Sequence, residues 1–166
     1  MADAHLLTDM KLGLLDHRLR PIYAAAERTT RAPGRSGQLL DFDVTSGRNN
    51  LAQAIIVRLL TPRGELAALG HPEYGSRLHE LIGRENTDTT RNLVKLFILE
   101  ALQLEPRIEK KKIEVSVTPA ELKPPAVGKG ARNVALVSRV NVEITVRPIG
   151  ATDTVTIGPF TLELGP

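Results

Sequence analysis

The sequence predicts an α+β protein, in which three or so helices pack on a small mixed or antiparallel sheet formed mainly by the C-terminal strands, with an N-terminal extension. Two patterns predict this fold. Residues 93–104 are apolar around most of a helix, whereas apolar and polar residues alternate from Ile113 onward, as in a strand with one buried face. The patterns meet at Glu105-Pro106-Arg107, where the proline keeps the preceding residue out of the helical region. The helix therefore ends at a stiff corner that displays an acid and a base.

The composition favours one domain and excludes several kinds of site. The 166 residues are enough for a core and an attached arm. Because the chain contains no cysteine, disulfides, thiolate metal sites and cysteine nucleophiles are excluded. The histidines (His5, His17, His71 and His79) have no recognised ligand spacing, so we expect no metal and no cofactor.

Charge and aromatic content argue against nucleic acid and membranes as partners. The 22 basic residues are interleaved with 19 acidic ones, and three phenylalanines, two tyrosines and no tryptophan offer little for stacking on bases. No apolar run approaches the roughly 20 residues that span a bilayer. Residues 1–9 lack the basic segment of a secretory signal. We therefore expect the protein to be made and assembled in the cytoplasm.

Residues 1–37 are predicted to form a basic, partly flexible N-terminal arm. Leu7, Met10 and Leu14 have helical spacing, which predicts a short amphipathic helix over residues 4–19. Five arginines and a single acid then occupy residues 18–38, among prolines and glycines. This segment is either a solvated tether or a segment that orders on an acidic partner surface.

The predicted compact domain covers residues 38–166. Alternating residues at 39–44 predict a short strand, and Asn49 or Asn50 is predicted to cap a helix with an apolar face over residues 51–60. A brief helix near Leu78 follows. The long helix is predicted to begin near Thr87 or Asp88 and to be buried on most of its surface, as the packing centre.

Three strands are predicted after the corner, at about residues 113–118, 134–147 and 155–164. A long basic loop over residues 119–133 joins the first two. In the last strand the apolar parity changes at Gly158-Pro159, which predicts a bulge, a kink or a strand that continues elsewhere. The final strand is therefore predicted to offer an edge to a strand of another chain. Its apolar residues are Val155, Ile157, Phe160, Leu162 and Leu164.

Four carboxylates raise the alternative of a small peptidoglycan hydrolase. Such chemistry needs paired acids, one of them desolvated, and Glu73, Glu80, Glu85 and Asp88 lie close in sequence. The sequence shows no apolar pocket with aromatic platforms for a sugar around them. We therefore favour surface carboxylates and no enzymatic activity.

Three motifs together resemble the baseplate sheath-initiator family of contractile tails. They are residues 60–65 (Leu-Thr-Pro-Arg-Gly-Glu), residues 72–76 (Pro-Glu-Tyr-Gly-Ser) and Glu105-Pro106-Arg107, in that order and spacing. The family comprises a small wedge protein of contractile phages and its counterparts in type VI secretion and extracellular injection systems. Some relatives carry a lysozyme label. The resemblance covers about residues 38–166.

The resemblance implies a structural protein of the baseplate with an α+β fold. It implies that Glu105, Pro106 and Arg107 attach the protein to the core bundle of the baseplate wedge, with Arg107 as a bidentate fork. It also implies that the closing strands accept a strand of the contractile sheath subunit, with several copies in a six-fold assembly. Residues 1–37 match no part of the family, and they either reach a neighbouring copy, the inner tube or the hub, or trail in solvent.

Overall fold

The structure, a computed structural model, describes residues 6–15, 21–31, 38–120 and 139–164. Two α-helices and nine strands are present in these ranges. Two short 3-10 helices, Ala67–Leu69 and Leu78–Leu81, lie between the α-helices. The elements are β1 (Thr8–Met10), β2 (Leu12–Leu15), β3 (Pro21–Ala25), β4 (Glu27–Arg31), β5 (Gln38–Phe42), β6 (Val44–Ser46), α1 (Gly47–Leu60), α2 (Asp88–Gln103), β7 (Ile108–Pro119), β8 (Arg139–Pro148) and β9 (Val155–Glu163).

The core lies between the two helices and an antiparallel sheet with the strand order β7-β8-β9. The central strand β8 turns four fully buried side chains towards the helices: Val140, Val142, Ile144 and Val146. Alternation along the sequence produces this face because successive strand residues point to opposite sides of a sheet. The predicted α+β class is confirmed, and the sheet of C-terminal strands is antiparallel.

Helix α1 begins earlier than its sequence suggests. Ser46 occupies the N-cap position and makes no side-chain cap bond, so the predicted cap at Asn49 or Asn50 is wrong. The buried Asn50 instead donates its side-chain amide to the carbonyl oxygen of Leu6, at 2.9 Å. A buried polar side chain needs a hydrogen-bond partner. Asn50 finds this partner in a residue distant in sequence, so its side chain does not cap the helix.

Helix α2 is the packing centre, and its predicted start is confirmed. The Thr87 side chain accepts a hydrogen bond from the Thr90 main-chain N–H, which satisfies one of the free amides of the first turn. The predicted burial of most of the helix surface is partly wrong, because Leu96 is 55% exposed. Among the described residues, β7, α1 and the 3-10 helix Leu78–Leu81 pack on α2, and none of them covers Leu96.

The described N-terminal residues form antiparallel ladders, so the helix predicted over residues 4–19 is wrong for residues 6–15, and its other residues lie outside the described ranges. Strand β1 pairs with β6, β2 with β3, and β4 with β5. At the junction of these ladders the Lys11 N–H donates to Asp43, the Asp43 N–H to Ala26 and the Ala26 N–H to Lys11. Gly13 weakens a helix, and pairing with β6 and β3 satisfies the main chain instead. Leu6, just before β1, is fully buried in the core.

The change of parity in β9 is a bulge, as one of the three sequence interpretations proposed. The register with β8 shifts between Val142 and Ile144, opposite a cis Gly158-Pro159 bond. Gly158 has φ of 106°, and a Cβ there would lie 2.7 Å from the Val142 carbonyl oxygen. Glycine is therefore required at this position. Within the described ranges, no helix is both long and apolar enough to span a bilayer.

Candidate partner-binding site

A buried carboxylate organises the corner after α2. Glu105 is 3% exposed, and its side chain turns inward. Oε1 accepts hydrogen bonds from Arg107 Nε at 2.6 Å and from the Arg107 main-chain N–H at 3.3 Å. Oε2 accepts from Arg107 Nη2 at 3.2 Å and from Arg58 Nη2 at 3.4 Å. One carboxylate thus holds two guanidinium groups from different elements.

The electrostatics of this cluster keep the carboxylate ionised. Burial raises the pKa of Glu105, but the hydrogen bonds and charge of Arg107, with the charge of Arg58, outweigh burial. The pKa of Glu105 is therefore lowered below its ordinary value. Two cations around one anion make the cluster net positive.

Tyr74 packs against the Arg58 guanidinium of the cluster. The Arg58 guanidinium lies over the Tyr74 ring, 4.4 Å from the ring centroid. Burial raises the pKa of the Tyr74 hydroxyl, so the ring stays neutral in ordinary buffers. Arg58 Nε is buried and has no hydrogen-bond partner in the part of the chain that the structure covers. Stacking on Tyr74 thus compensates for an incomplete set of hydrogen bonds.

The two loop motifs hold Tyr74 in place. Pro62 and Ser76 form an isolated parallel β-bridge, and the Ser76 hydroxyl donates to the Leu59 carbonyl oxygen at 2.6 Å. A Cβ on Gly75 would lie 2.5 Å from the Thr61 carbonyl oxygen, so only glycine allows the two segments this close. The loop that carries Tyr74 is therefore fixed against the end of α1.

A second ion network lies on the surface beside these loops. Arg63 donates to Glu73 and to Glu100. Arg77 donates to Glu80 at 2.7 Å and lies over the Phe97 ring, 4.4 Å from its centroid. The network connects both loop motifs to α2.

The outer side of the corner combines a cation with apolar surface. The Arg107 side chain is partly exposed, and Pro106 next to it is exposed. Leu104 and Ile149 are 44% and 50% exposed, and the Ile149 N–H donates to the Arg107 carbonyl oxygen at 3.0 Å. Arg107 Nη1 takes part in no hydrogen bond to any residue described. Arginine is enriched among the residues that contribute most of the binding energy at protein interfaces.

A comparison with protein families decides what this corner belongs to. The family model described as baseplate wedge protein gp25 matches residues 45–147, which include Arg58, Tyr74, Glu105 and Arg107. The chain belongs to the baseplate wedge protein gp25 family. A crystal structure of a protein from Geobacter sulfurreducens, provisionally named a tail lysozyme, has a similar fold. Its TM-score is 0.53 at 26% sequence identity, over 72% of this chain and 93% of that chain. No curated protein matches the sequence.

Membership of the gp25 family confirms the resemblance and makes this chain a relative of baseplate structural proteins. The structure brings Glu105, Pro106 and Arg107 together at one corner. In the free chain, however, Glu105 is buried and occupies the Nε–Nη2 side of the Arg107 fork. Attachment of a partner to this corner stays a prediction, and Pro106 and Arg107 are the members that a partner can reach.

Sequence reasoning missed Arg58 and Tyr74. Arg58 lies in the buried stripe of α1 with Leu51, Ile55 and Leu59. The position of an arginine on an apolar helix face could have indicated a functional or structural ion pair, because a buried charge requires a partner. Its partner Glu105 lies 47 residues away in sequence, and no local pattern connects the two.

Four of the predicted strand-addition residues lie in β9 and Leu164 follows its last residue, all outside the segment that the gp25 family model matches. The Ala120 N–H donates to the Arg139 carbonyl oxygen, so odd-numbered residues of β8 bond to β7 and even-numbered residues bond to β9. The main-chain groups of Val155, Ile157, Phe160 and Leu162 therefore face β8. Ile157 and Leu164 are buried, and Val155, Phe160 and Leu162 pack against the core.

The outward main-chain groups of β9 belong to other residues. By the same register they are those of Thr156, Thr161 and Glu163. A strand added at this edge would bond to these three residues, while the five predicted residues anchor β9 to the core. Strand addition itself stays a prediction.

The carboxylates considered for hydrolysis lie on the surface. Glu73 pairs with Arg63, Glu80 with Arg77 and Asp88 with Arg91. The hydrogen bonds from Arg77 lower the pKa of Glu80, the opposite of what a general acid needs. Groups of three or more acidic or histidine side chains suited to a metal do not occur among the described residues.

Proposed function

We propose that this protein is a non-enzymatic baseplate component of a contractile injection machine that links the baseplate wedge to the contractile sheath. The observation that carries the proposal is the Arg107 corner, a cation held by the buried Glu105 within the segment matched to the gp25 family. Type VI secretion machines and extracellular injection particles are alternatives to a phage tail as the parent machine.

The wedge side of the link is the surface of Pro106 and Arg107. Because Glu105 holds the guanidinium in one orientation, little side-chain entropy remains to be lost on binding. The exposed Leu104 and Ile149 add apolar area around the charge. The partner suited to this surface is a core-bundle protein of the wedge that presents a carboxylate or carbonyl oxygen in an apolar setting.

The sheath side of the link is the free edge of β9. A strand of the sheath subunit adds to the outward main-chain groups of Thr156, Thr161 and Glu163 and so templates the first sheath ring. The bulge at Gly158-Pro159 divides the edge into two short runs. Several copies in a six-fold ring present this edge to the sheath, and the part of residues 1–37 that follows β1 reaches a neighbouring copy, the inner tube or the hub.

Co-purification with the wedge and sheath proteins encoded beside this chain tests both sides. Arg107→Ala is expected to lose the wedge and retain the sheath. Arg107→Lys is expected to fail in the same way, since an ammonium group does not reproduce the planar fork. Arg84→Ala removes another exposed arginine and serves as the matched control.

Thr161→Pro tests the edge, because proline removes an outward N–H without breaking a bond to β8. It is expected to lose the sheath and retain the wedge, whereas Thr161→Ala retains both. Normal binding of both partners by Arg107→Ala and Thr161→Pro, or of neither by the wild type, contradicts the linker. Glu73→Gln with Glu80→Gln is expected to leave assembly unchanged.

A further inference from the structure

The strand at the other side of the sheet, β7, also has an edge that no strand of the described residues pairs with. Even-numbered residues of β7 bond to β8, so the outward N–H and C=O groups belong to Ile113, Val115 and Val117. Unlike β9, this stretch pairs with β8 without interruption from Ile113 to Pro119. Three successive outward residues offer a regular ladder for one more strand.

An added strand could pair with the middle of this edge but not with its two ends. The register is irregular between Ile108 and Ile113, where Lys110, Lys111 and Lys112 are exposed. Pro119 has no N–H to offer at the other end. Bulges, lysines and prolines are the devices that protect edges from unwanted pairing. The accessible stretch is therefore limited to residues 113–118.

A groove of about 450 Å³ follows this stretch of β7. Residues 113–116 all line it, although their side chains alternate between the two faces of the sheet, so the groove runs along the strand edge itself. Lys95 and Leu99 of α2 line it on the core face of the sheet, and Glu143 and Thr145 of β8 line it on the outer face. An extended chain fits along such an edge, with its main chain against β7 and its side chains on alternate faces of the sheet.

The charges specify what such a chain carries. Glu114 and Glu143 are diagonal neighbours on the outer face, since Glu114 is opposite Thr145 and Ser116 opposite Glu143. Both are exposed, and neither forms an ion pair with a residue that the structure describes, whereas Arg139 and Arg147 on the same strand both have carboxylate partners. Glu114, the nearer of the two to the edge, therefore favours a basic side chain on the outer face. On the core face Leu99 favours aliphatic side chains, and Lys95 beside it disfavours basic ones.

We propose that the β7 edge binds an extended segment of another protein in which basic residues alternate with aliphatic ones. A second copy of this chain is disfavoured, because its β7 would bring another Glu114 and another run of three lysines beside the first. The binding does not depend on the linker function, since it uses neither Arg107 nor the edge of β9.

A labelled nine-residue peptide of alternating lysine and valine is the probe, with fluorescence anisotropy as the readout. The wild-type chain is expected to bind it saturably. Glu114→Gln with Glu143→Gln is expected to weaken binding by about twofold to fivefold, as the cross-strand charge pair at Glu114 and the longer-range attraction of Glu143 are lost. Val117→Pro, which removes one outward N–H, is expected to weaken it by about tenfold.

Controls separate strand addition from simple charge attraction. A peptide of the same composition with its lysines in one block is expected to bind at least about tenfold more weakly, because it cannot place a base at alternate positions. Thr161→Pro, at the β9 edge, is expected to bind the alternating peptide as the wild type does. Because Val117→Pro removes a half-buried side chain, Glu114→Arg serves as a second variant on an exposed position.

Amide exchange locates the bound peptide. The Ile113, Val115 and Val117 amides are expected to slow on peptide addition, and the Thr161 amide is not. The proposal is overturned by equal binding of the two peptides, by equal binding to the wild type and Glu114→Arg, or by unchanged exchange at the three β7 amides.

Discussion

The buried ion cluster at the corner and the exposed ion network beside it use the same residue types for different purposes. Glu105 joins the end of α1 to the corner after α2, through Arg58 and Arg107. Glu100 joins two surface loops to α2 through Arg63 and Arg77. Water screens the exposed network, whereas the buried carboxylate Glu105 is 3% exposed and is screened little. The buried cluster therefore determines the geometry of the Arg107 surface, and the exposed network only supports it.

The largest difference between the two is expected on removal of the carboxylate. Glu105→Ala leaves Arg58 buried without an anion and should lower the free energy of unfolding by about 3–5 kcal/mol. Glu80→Ala, which removes an exposed acid that also pairs with an arginine, should change it little. Urea unfolding of both variants measures the difference. Equal effects would show that the buried and exposed clusters do not differ in energy.

Low pH tests the contribution of the buried cluster to stability, because it protonates Glu105. Because the pKa of Glu105 is lowered in the folded state, its ionisation stabilises the fold fully above the ordinary carboxyl pKa of about 4.3. This contribution is lost as the pH falls through the lowered folded value. The stability difference between wild type and Glu105→Gln should therefore shrink below about pH 4. A difference that does not change from pH 5 to pH 2, measured by thermal unfolding, would contradict an ionised Glu105.

The smallest effect is expected in the exposed network. Arg63→Ala removes the bonds to Glu73 and Glu100, and the loss of stability should be smaller than for Glu105→Ala. It should also diminish in high salt, since exposed charges are screened within about 3 Å at 1 M. Urea midpoints at low and high salt test this, with Glu105→Ala as the variant whose effect persists in salt. A salt-independent loss for Arg63→Ala would remove the distinction.

Local patterns in the sequence were sufficient where one element decides the outcome. The start of α2 at Thr87 depends on one hydroxyl and one nearby amide. The bulge at Gly158-Pro159 follows from a change of parity that any sheet must accommodate. The same reasoning failed over residues 4–19, where helical spacing competed with pairing to β6. Spacing alone does not include the energy of a ladder to a strand about 35 residues away.

The sequence by itself determined the α+β class, the corner at Pro106 and the alternation that buries β8, because these depend on residues within one element. The tertiary structure decided that Arg58 pairs with Glu105 and Tyr74, and that Glu105 faces inward. It also decided that β7 and β9 are the outer strands and which of their main-chain groups face outward. These features depend on contacts between residues far apart in sequence, which periodicity cannot specify because it describes one segment at a time.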